Sequence, residues 1–262
     1  MIGIDLGSRN IKIVEMQGDK LQKTLSFDTI AFYRRYGGQS RGQIKLDLAG
    51  LGLDATSSLV ATGYGKIKIQ VEGALHLPEI QAHVKGAVYQ TRYKDFTLLD
   101  IGGQDTKVIQ VRAGQTVDFM TNDRCAASSG RYLENMAAIL DMSLEELSSY
   151  CEDPVRLNST CAIFGETEII GHLVDGCPLS RLAAGINYTL YRRCASMLAK
   201  LDSGIIIMAG GVARNGALRD IIRKKTGRQV QSLELPEYNG AIGCCRYGLE
   251  TSAGGKDAAD KG

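Results

Sequence analysis

A short pattern occurs twice in this chain, and its recurrence constrains the fold more than any other feature. Ile2-Gly3-Ile4-Asp5-Leu6-Gly7-Ser8 is an apolar run that ends in Asp, Gly and Ser, after which Ile11, Ile13 and Val14 resume a strand-like pattern. About ninety-five residues later, Thr97-Leu98-Leu99-Asp100-Ile101-Gly102-Gly103-Gln104-Asp105 runs into Thr106-Lys107-Val108-Ile109-Gln110-Val111. Each copy reads as strand, Asp-x-Gly turn, strand, so each is an expected hairpin with a carboxylate at its bend. Two copies of one plan imply an α/β chain of two similar lobes.

Longer helical stretches separate the strands. Ser143-Leu144-Glu145-Glu146 matches a capping box and predicts a helix start. From Ser180 to Leu201, Leu182, Ile186, Leu190, Cys194 and Leu198 recur at spacings near four, which predicts a long helix. Ile205-Ile206-Ile207-Met208 is wholly apolar, as a buried central strand would be, and leads into Ala209-Gly210-Gly211-Val212. The expected divisions are a first lobe over 1–90, a second over 91–235, a returning segment over 236–250 and a flexible tail over 251–262.

Three glycine turns at strand ends suit a nucleotide. A triphosphate needs backbone N–H groups approaching closely, and glycine permits the approach. Asp5 beside Gly7 and Ser8, and Asp100 beside Gly102 and Gly103, each add a carboxylate, and Mg²⁺ is held by one or two carboxylates among waters. Gln104 is placed to orient an attacking water. Gly210-Gly211 lets the backbone pass an adenine or ribose. Singly, each turn reads as a tight connection; all three in this order favour a nucleotide. Neither a Walker A motif nor a GxGxxG after the first strand is present.

Seven cysteines without a CxxC pair argue against both a secreted disulfide framework and a one-chain zinc site. Two of them precede amphipathic segments: Cys125 lies ahead of Leu133, Met136, Ala137 and Leu140, and Cys161 ahead of Ile169, Ile170, Leu173 and Val174. A helix start favours thiolate. Three readings stay open here: small buried residues, redox-reactive thiols, or a metal bridge in which two chains each supply half of a four-cysteine set. His83 and His172 read as structural, Cys244-Cys245 as packing. The net charge of +2 gives no electrostatic reason to expect nucleic acid or an anionic membrane, and no apolar run reaches the roughly 20 residues of a membrane span. Met1 leads directly into the first strand, so a cytoplasmic location without a leader is expected.

The three turns resemble those of the actin/hexokinase (acetate and sugar kinase) superfamily: a phosphate-1 loop at Asp5–Ser8, a phosphate-2 loop at Asp100–Asp105 and an adenosine loop at Ala209–Val212. That resemblance implies two ribonuclease-H-like lobes with ATP in a central nucleotide cleft. Asn122-Asp123-Arg124-Cys125-Ala126-Ala127, with Gly130-Arg131-Tyr132-Leu133-Glu134, and Cys161-Ala162-Ile163-Phe164-Gly165-Glu166-Thr167-Glu168 resemble the 2-hydroxyacyl-CoA dehydratase activator family, which includes the ATPase subunits of benzoyl-CoA reductase. Ala61-Thr62-Gly63-Tyr64-Gly65, Glu79-Ile80-x-x-His83 and Met208–Asn215 are similar as well, so the likeness runs from residue 1 to about 249.

The resemblance implies a homodimer with one [4Fe-4S] cluster on Cys125 and Cys161 of each chain. It also implies ATP/ADP and Mg²⁺ held through Asp5, Gly7, Ser8, Arg9, Asn10, Lys12, Asp100, Gly102, Gly103, Gln104, Gly210, Gly211, Val212, Asn215, Gly240 and Gly243. A ferredoxin- or flavodoxin-type donor would supply electrons. The acceptor would be a cluster-bearing dehydratase or a double-cubane-cluster protein. Two positions depart from the family pattern: Ser128-Ser129-Gly130 stands for Gly-Thr-Gly, and Arg9 follows Ser8 where the family has Thr. The competing expectations are a small-molecule kinase of the same superfamily and a non-catalytic nucleotide-binding assembly protein.

Overall fold

The computed structural model describes residues 1–36, 43–63, 70–122, 126–158 and 162–259. The chain divides into two compact units, Met1–Tyr93 with Glu237–Gly262, and Lys94–Pro236. The first unit begins with β1 (Ile2–Leu6), β2 (Asn10–Gln17), β3 (Lys20–Asp28) and α1 (Thr29–Tyr36). It continues through β4 (Gln43–Ile44), β5 (Leu59–Thr62), β6 (Gln70–Val71), β7 (Ala74–His76) and α2 (Glu79–Thr91). Its main sheet has the order β3-β2-β1-β5-β7, while β4 and β6 pair separately. β1 runs antiparallel to β2 and parallel to β5. Being central, β1 is buried at every position, and Ile2, Ile4 and Leu6 meet Ile11, Ile13 and Phe32 in one core.

The second unit repeats this sheet. Its strands β8 (Phe96–Ile101), β9 (Thr106–Arg112) and β10 (Gln115–Asn122) form the meander. A 3₁₀ turn (Ala126–Ser128) comes next, then α3 (Gly130–Ile139), α4 (Leu144–Leu147), α5 (Ala162–Val174) and α6 (Leu179–Lys200). β11 (Ile205–Ala209), a 3₁₀ turn (Gly211–Arg214), α7 (Gly216–Thr226) and β12 (Gln229–Ser232) complete the unit. The order is β10-β9-β8-β11-β12, with β8 antiparallel to β9 and parallel to β11. The expected repeat is thus a repeat of topology, strand for strand.

Most of the pattern-based expectations are met. The expected long helix is α6, with Leu182, Ile186, Leu190, Cys194 and Leu198 all in the core. Ser143 accepts a hydrogen bond from Glu146 N at 3.0 Å, although the capped helix α4 is a single turn. On α5 the expected apolar face is split: Ile169 is buried, but Ile170, Leu173 and Val174 are 50%, 37% and 82% exposed. Gly165, where an added Cβ would stand 3.3 Å from Met136 Cε, sets which side meets α3. Position 169, one turn on, shares that side, whereas 170 and 174 turn away.

After the second unit, α8 (Asn239–Ala259) returns to the first, packing on β1 and α2. The composition of 251–262 suggests a loose tail, yet the helix continues to Ala259, with Thr251 and Ser252 hydroxyls donating to carbonyls one turn back. Among the described residues, no helix is long and apolar enough to cross a membrane. The α2–α8 contact depends on missing side chains. A Cβ on Gly243 would stand 1.8 Å from Ala82 O, and one on Gly86 would stand 2.1 Å from Asn239 O. Backbone cannot yield there as a side-chain tip can. Gly243→Ala should therefore cost about 2 kcal/mol, lowering the melting temperature by roughly 5 °C in calorimetry. Gly171→Ala, where nothing lies within 4 Å on α5, should be neutral or stabilising.

Candidate functional site

In the first unit the chemistry gathers at the end of β1. Asp5 is 8% exposed. A Cβ on Gly63 would stand 2.9 Å from Asp5 Oδ1, and one on Gly240 would stand 2.4 Å from Asp5 Oδ2. The carboxylate is thus cradled by two glycines, one after β5 and one in the first turn of α8. The β1–β2 turn lies beside it. A Cβ on Gly7 would meet Asn10 O at 2.5 Å, and Thr29 Oγ1 donates to Gly7 O at 2.8 Å, holding the turn in shape. Ser8 lies in the bend and is half-buried. Arg9 Nη1 pairs with Asp28 Oδ2 at 2.9 Å on an exposed rim. Lys12 stands opposite Asp5 in the ladder; its Nζ donates to Ser26 Oγ at 2.6 Å and lies 5.3 Å from the Tyr238 ring centroid. Gly243, one turn further along α8, serves the α2 contact described above.

His83 belongs to this neighbourhood, although its sequence setting suggests only a structural histidine. It is 6% exposed, its Nε2 is 3.9 Å from Glu79 Oε1 and 3.3 Å from a Cβ placed on Gly240. Asn239 Nδ2 donates to His83 O at 2.9 Å, and Gln90 Nε2 donates to Asn239 Oδ1 at 3.0 Å. The start of α8 is therefore fixed against α2 next to the Asp5 carboxylate.

The second unit builds its counterpart at the end of β8. Asp100 is 2% exposed. Gly210, at φ +77°, comes directly after β11; a Cβ there would stand 2.3 Å from Ile101 O and 2.7 Å from Asp100 Oδ1, so only glycine fits both backbone and space. Lys107 Nζ lies 3.6 Å from Asp100 Oδ2 and 2.6 Å from Asp105 Oδ2. Gln104 is half-buried in the bend between Gly103 and Asp105. Gly211 is exposed at the start of its 3₁₀ turn, and Val212 is in the core, 3.4 Å from a Cβ placed on Gly130. Asn215 serves the helix beyond that turn. It accepts from Leu218 N at 2.8 Å as the cap of α7 and donates to Asn187 Oδ1 at 2.9 Å. In both units a carboxylate oxygen lies so close to a glycine that a Cβ there would collide with it. Carboxylate oxygens are donors of the kind Mg²⁺ takes.

The β8–β9 turn is bound to the segment that opens α3. Gly130 N donates to Gly102 O at 2.9 Å, Arg131 N to Gly103 O at 3.2 Å, and Ser129 Oγ to Gly103 O at 3.0 Å. Ser128 takes part as well: Thr106 Oγ1 donates to its carbonyl, and Asn122 Nδ2 donates to its hydroxyl at 2.7 Å. The two serines that depart from the family pattern are thus fully engaged.

Cys125 and Cys161, like Tyr64 and Gly65, lie outside the described residues. Their flanks are visible. Arg193 on α6 donates to Ala127 O and stacks 4.2 Å from the Tyr132 ring centroid. Its neighbour Arg192 donates to Leu157 O at 2.5 Å and to Thr189 Oγ1 at 2.9 Å. Glu168 Oε1 accepts from Asn158 N at 2.7 Å. Of the other thiols, burial pushes Cys194 and Cys245 up to about 12 and Cys244 well above its ordinary value.

Sequence reasoning missed Lys107 and undervalued His83. The signal for Lys107 was present: it stands as far beyond Asp100 as Lys12 stands beyond Asp5.

The same chain plan occurs in known proteins. The model of the BadF/BadG/BcrA/BcrD ATPase family matches residues 2–248. An (R)-2-hydroxyglutaryl-CoA dehydratase activating ATPase of Acidaminococcus fermentans is 31% identical over 259 residues, covering 96% of this chain and 98% of that protein. A 2-hydroxyisocaproyl-CoA dehydratase activator of Clostridioides difficile is 30% identical over 258 residues, covering 95% and 94%. The solved structure of such an activator from Clostridium difficile, with bound ADPNP, superposes with a TM-score of 0.83 at 25% identity, covering 98% of this chain and 97% of that one.

The raised thiols make a prediction. Alkylation of the native protein at pH 8 should modify Cys151 and Cys177, which are half-buried, and spare Cys194, Cys244 and Cys245, as read by peptide mass spectrometry. Keeping these thiols neutral stabilises the fold fully below the ordinary thiol value of 9.0, and the contribution declines as pH rises from there towards about 12. The urea midpoint should accordingly fall from pH 9 upwards.

Proposed function

The chain belongs to the BadF/BadG/BcrA/BcrD ATPase family, and from that premise we propose that it is an ATP-dependent low-potential electron donor for a cluster-bearing dehydratase or a double-cubane-cluster protein. The observation that carries the proposal is the hydrogen-bonded joint between Gly102–Gly103 and Ser129–Arg131. It ties the turn suited to a phosphate directly to the start of α3, the helix that comes after Cys125.

The roles divide among the chain's own residues. Asp5 and Asp100 would hold Mg²⁺ and its waters, with Gln104 orienting the attacking water. Gly7, Ser8, Gly102, Gly103, Gly210 and Gly211 would offer backbone N–H groups to the nucleotide, while Asn10, Lys12 and Gly240 border it. Arg9 would act through its pair with Asp28, Val212 by packing the adenosine turn, Asn215 by capping the helix after it, and Gly243 by seating α8. Hydrolysis can drive a second process only if nucleotide favours one conformation over another. A displacement of Gly102 and Gly103 would have to move Gly130 and Arg131 with them or break three hydrogen bonds.

Cys125 and Cys161 would be thiolate ligands, two from each chain of a homodimer, which makes up the usual four. The 3₁₀ turn starts at Ala126 and α5 at Ala162, each directly after its cysteine, so unpaired N–H groups of helix starts would favour the charged thiolates. A bound [4Fe-4S] cluster supplies one-electron chemistry. A ferredoxin- or flavodoxin-type protein would restore the electron, and the cytoplasm would be the setting.

Anaerobic purification tests the proposal. A brown dimer with about four irons per two chains is expected, and Cys125→Ala or Cys161→Ala should remove iron while leaving ADP binding intact by calorimetry. Iron-free wild-type protein that phosphorylates a small metabolite would instead identify a kinase.

A further inference from the structure

Arg131 is the second residue of α3, and its backbone and side chain fare differently. Its backbone N–H donates to Gly103 O at 3.2 Å, which fixes the residue at the β8–β9 turn. Its side chain is half-buried, and the Nε is shut off from solvent with no hydrogen-bond partner among the described residues. Buried side-chain donors in folded proteins are nearly always met, because an unmet one gives up its hydration for nothing. A charged donor gives up more. The position adds a second cost, since the dipole of a helix opposes a cation in its first turn. A residue that breaks two local rules at once marks a functional place.

Direction narrows what can meet the donor. Every Cα–Cβ bond of a helix tilts towards the N-terminus, so a long side chain at the second position leans back over the helix start. Here that start lies against the glycine turns: a Cβ on Gly130 would stand 3.8 Å from Gly103 Cα and 3.4 Å from Val212 Cγ2. The carboxylates of the β8–β9 turn, Asp100 and Asp105, lie beside Lys107. We propose that the Arg131 guanidinium binds a phosphate of the nucleotide held at the Gly102–Gly103 turn. Arginine suits the task, because its planar fork carries a permanent charge and matches two phosphate oxygens at once. The phosphate supplies the acceptor that Nε lacks. One residue then touches the turn through its backbone and the nucleotide through its side chain. The start of α3 gains a contact when the phosphate is present and keeps an unmet charged donor when it is not. A difference of that kind is what lets a nucleotide favour one arrangement over another. The inference rests on the nucleotide-binding part of the functional proposal and on none of the electron transfer.

The test compares full-length wild type with Arg131→Met, which keeps an apolar stem and removes the charge. Calorimetry with ADP and with ADPNP, both with Mg²⁺, gives the affinities, and the melting temperature without nucleotide is the second readout. Arg131→Met should bind ADPNP at least about tenfold more weakly, as expected for the loss of a charge-assisted hydrogen bond. A matching loss for ADP places the contact on the second phosphate, and a loss confined to ADPNP places it on the third. Without nucleotide the same variant should melt no lower than the wild type, and up to about 3 °C higher, because an unmet donor has been removed. Arg131→Lys, which restores the charge without the fork, should bind ADPNP with an affinity between the two. Unchanged ADPNP affinity in Arg131→Met would overturn the inference and leave the functional proposal standing. A nucleotide-free Arg131→Met that melts well below the wild type, or does not fold, would show a structural arginine and overturn the inference too. A wild type that binds neither nucleotide would overturn both.

Discussion

Three hydrogen bonds join the β8–β9 turn to the start of α3, and they shape the second unit. Gly102 and Gly103 cannot satisfy their oxygens within their own hairpin, because the turn opens after Ile101. The start of α3 satisfies them instead, through Gly130 N, Arg131 N and the Ser129 hydroxyl. Each such bond contributes on the order of 1 kcal/mol net, and together the three hold the turn and the helix start to each other. Gly130 is also tightly placed: a Cβ there would stand 3.2 Å from Gly102 O and 3.4 Å from Val212 Cγ2. Three segments far apart in sequence, 102–103, 129–131 and 210–212, thereby share one small region of space.

The two units begin from the same plan and diverge in their side chains. Both sheets have a three-strand meander followed by two parallel strands, and both put an aspartate at the end of the central strand. In the first unit the aspartate is flanked by Gly63, Gly240 and His83, so an α8 start lies beside a carboxylate, where the helix dipole favours negative charge. In the second, the aspartate faces an ammonium and a glycine turn. One carboxylate lies beside a helix start, the other beside a lysine. Equivalent positions therefore need not respond alike to the same ligand.

The hairpins, the buried run Ile205–Met208 and the amphipathic α6 were legible because each is encoded locally, by alternation, apolar length or a spacing near four. The glycine turns were legible for the same reason. The setting of Lys107 was not: the residue is visible, but its burial between two carboxylates depends on the pairing of β8 with β9 and on the bend that joins them. The exposure of Ile170 and Val174 was hidden for a related reason. Periodicity groups apolar residues on a helix, but only the partner surface, here Met136 against Gly165, decides which of them is covered. The tail illustrates the converse: small residues without periodicity gave no sign that α8 would extend to Ala259.

The flanks of the two signature cysteines share one support, and its chemistry suits that role. Arg192 and Arg193 are adjacent on α6, yet one guanidinium reaches Leu157 O, ahead of Cys161, and the other reaches Ala127 O, just beyond Cys125. Adjacent helix positions point about 100° apart, so one helix can hold two separate loops from neighbouring residues. A guanidinium is well suited to this: its fork of donors binds a carbonyl while its plane stacks on a ring, as Arg193 does on Tyr132. Tyr132 itself sits on α3, two residues beyond Gly130, and burial raises its hydroxyl above the ordinary phenol range. The contact path from the β8–β9 turn therefore runs through α3 to Tyr132, from there to Arg193, and back to the backbone beside Cys125. The path consists of hydrogen bonds, the first residues of α3 and one stacked contact, all within a single unit.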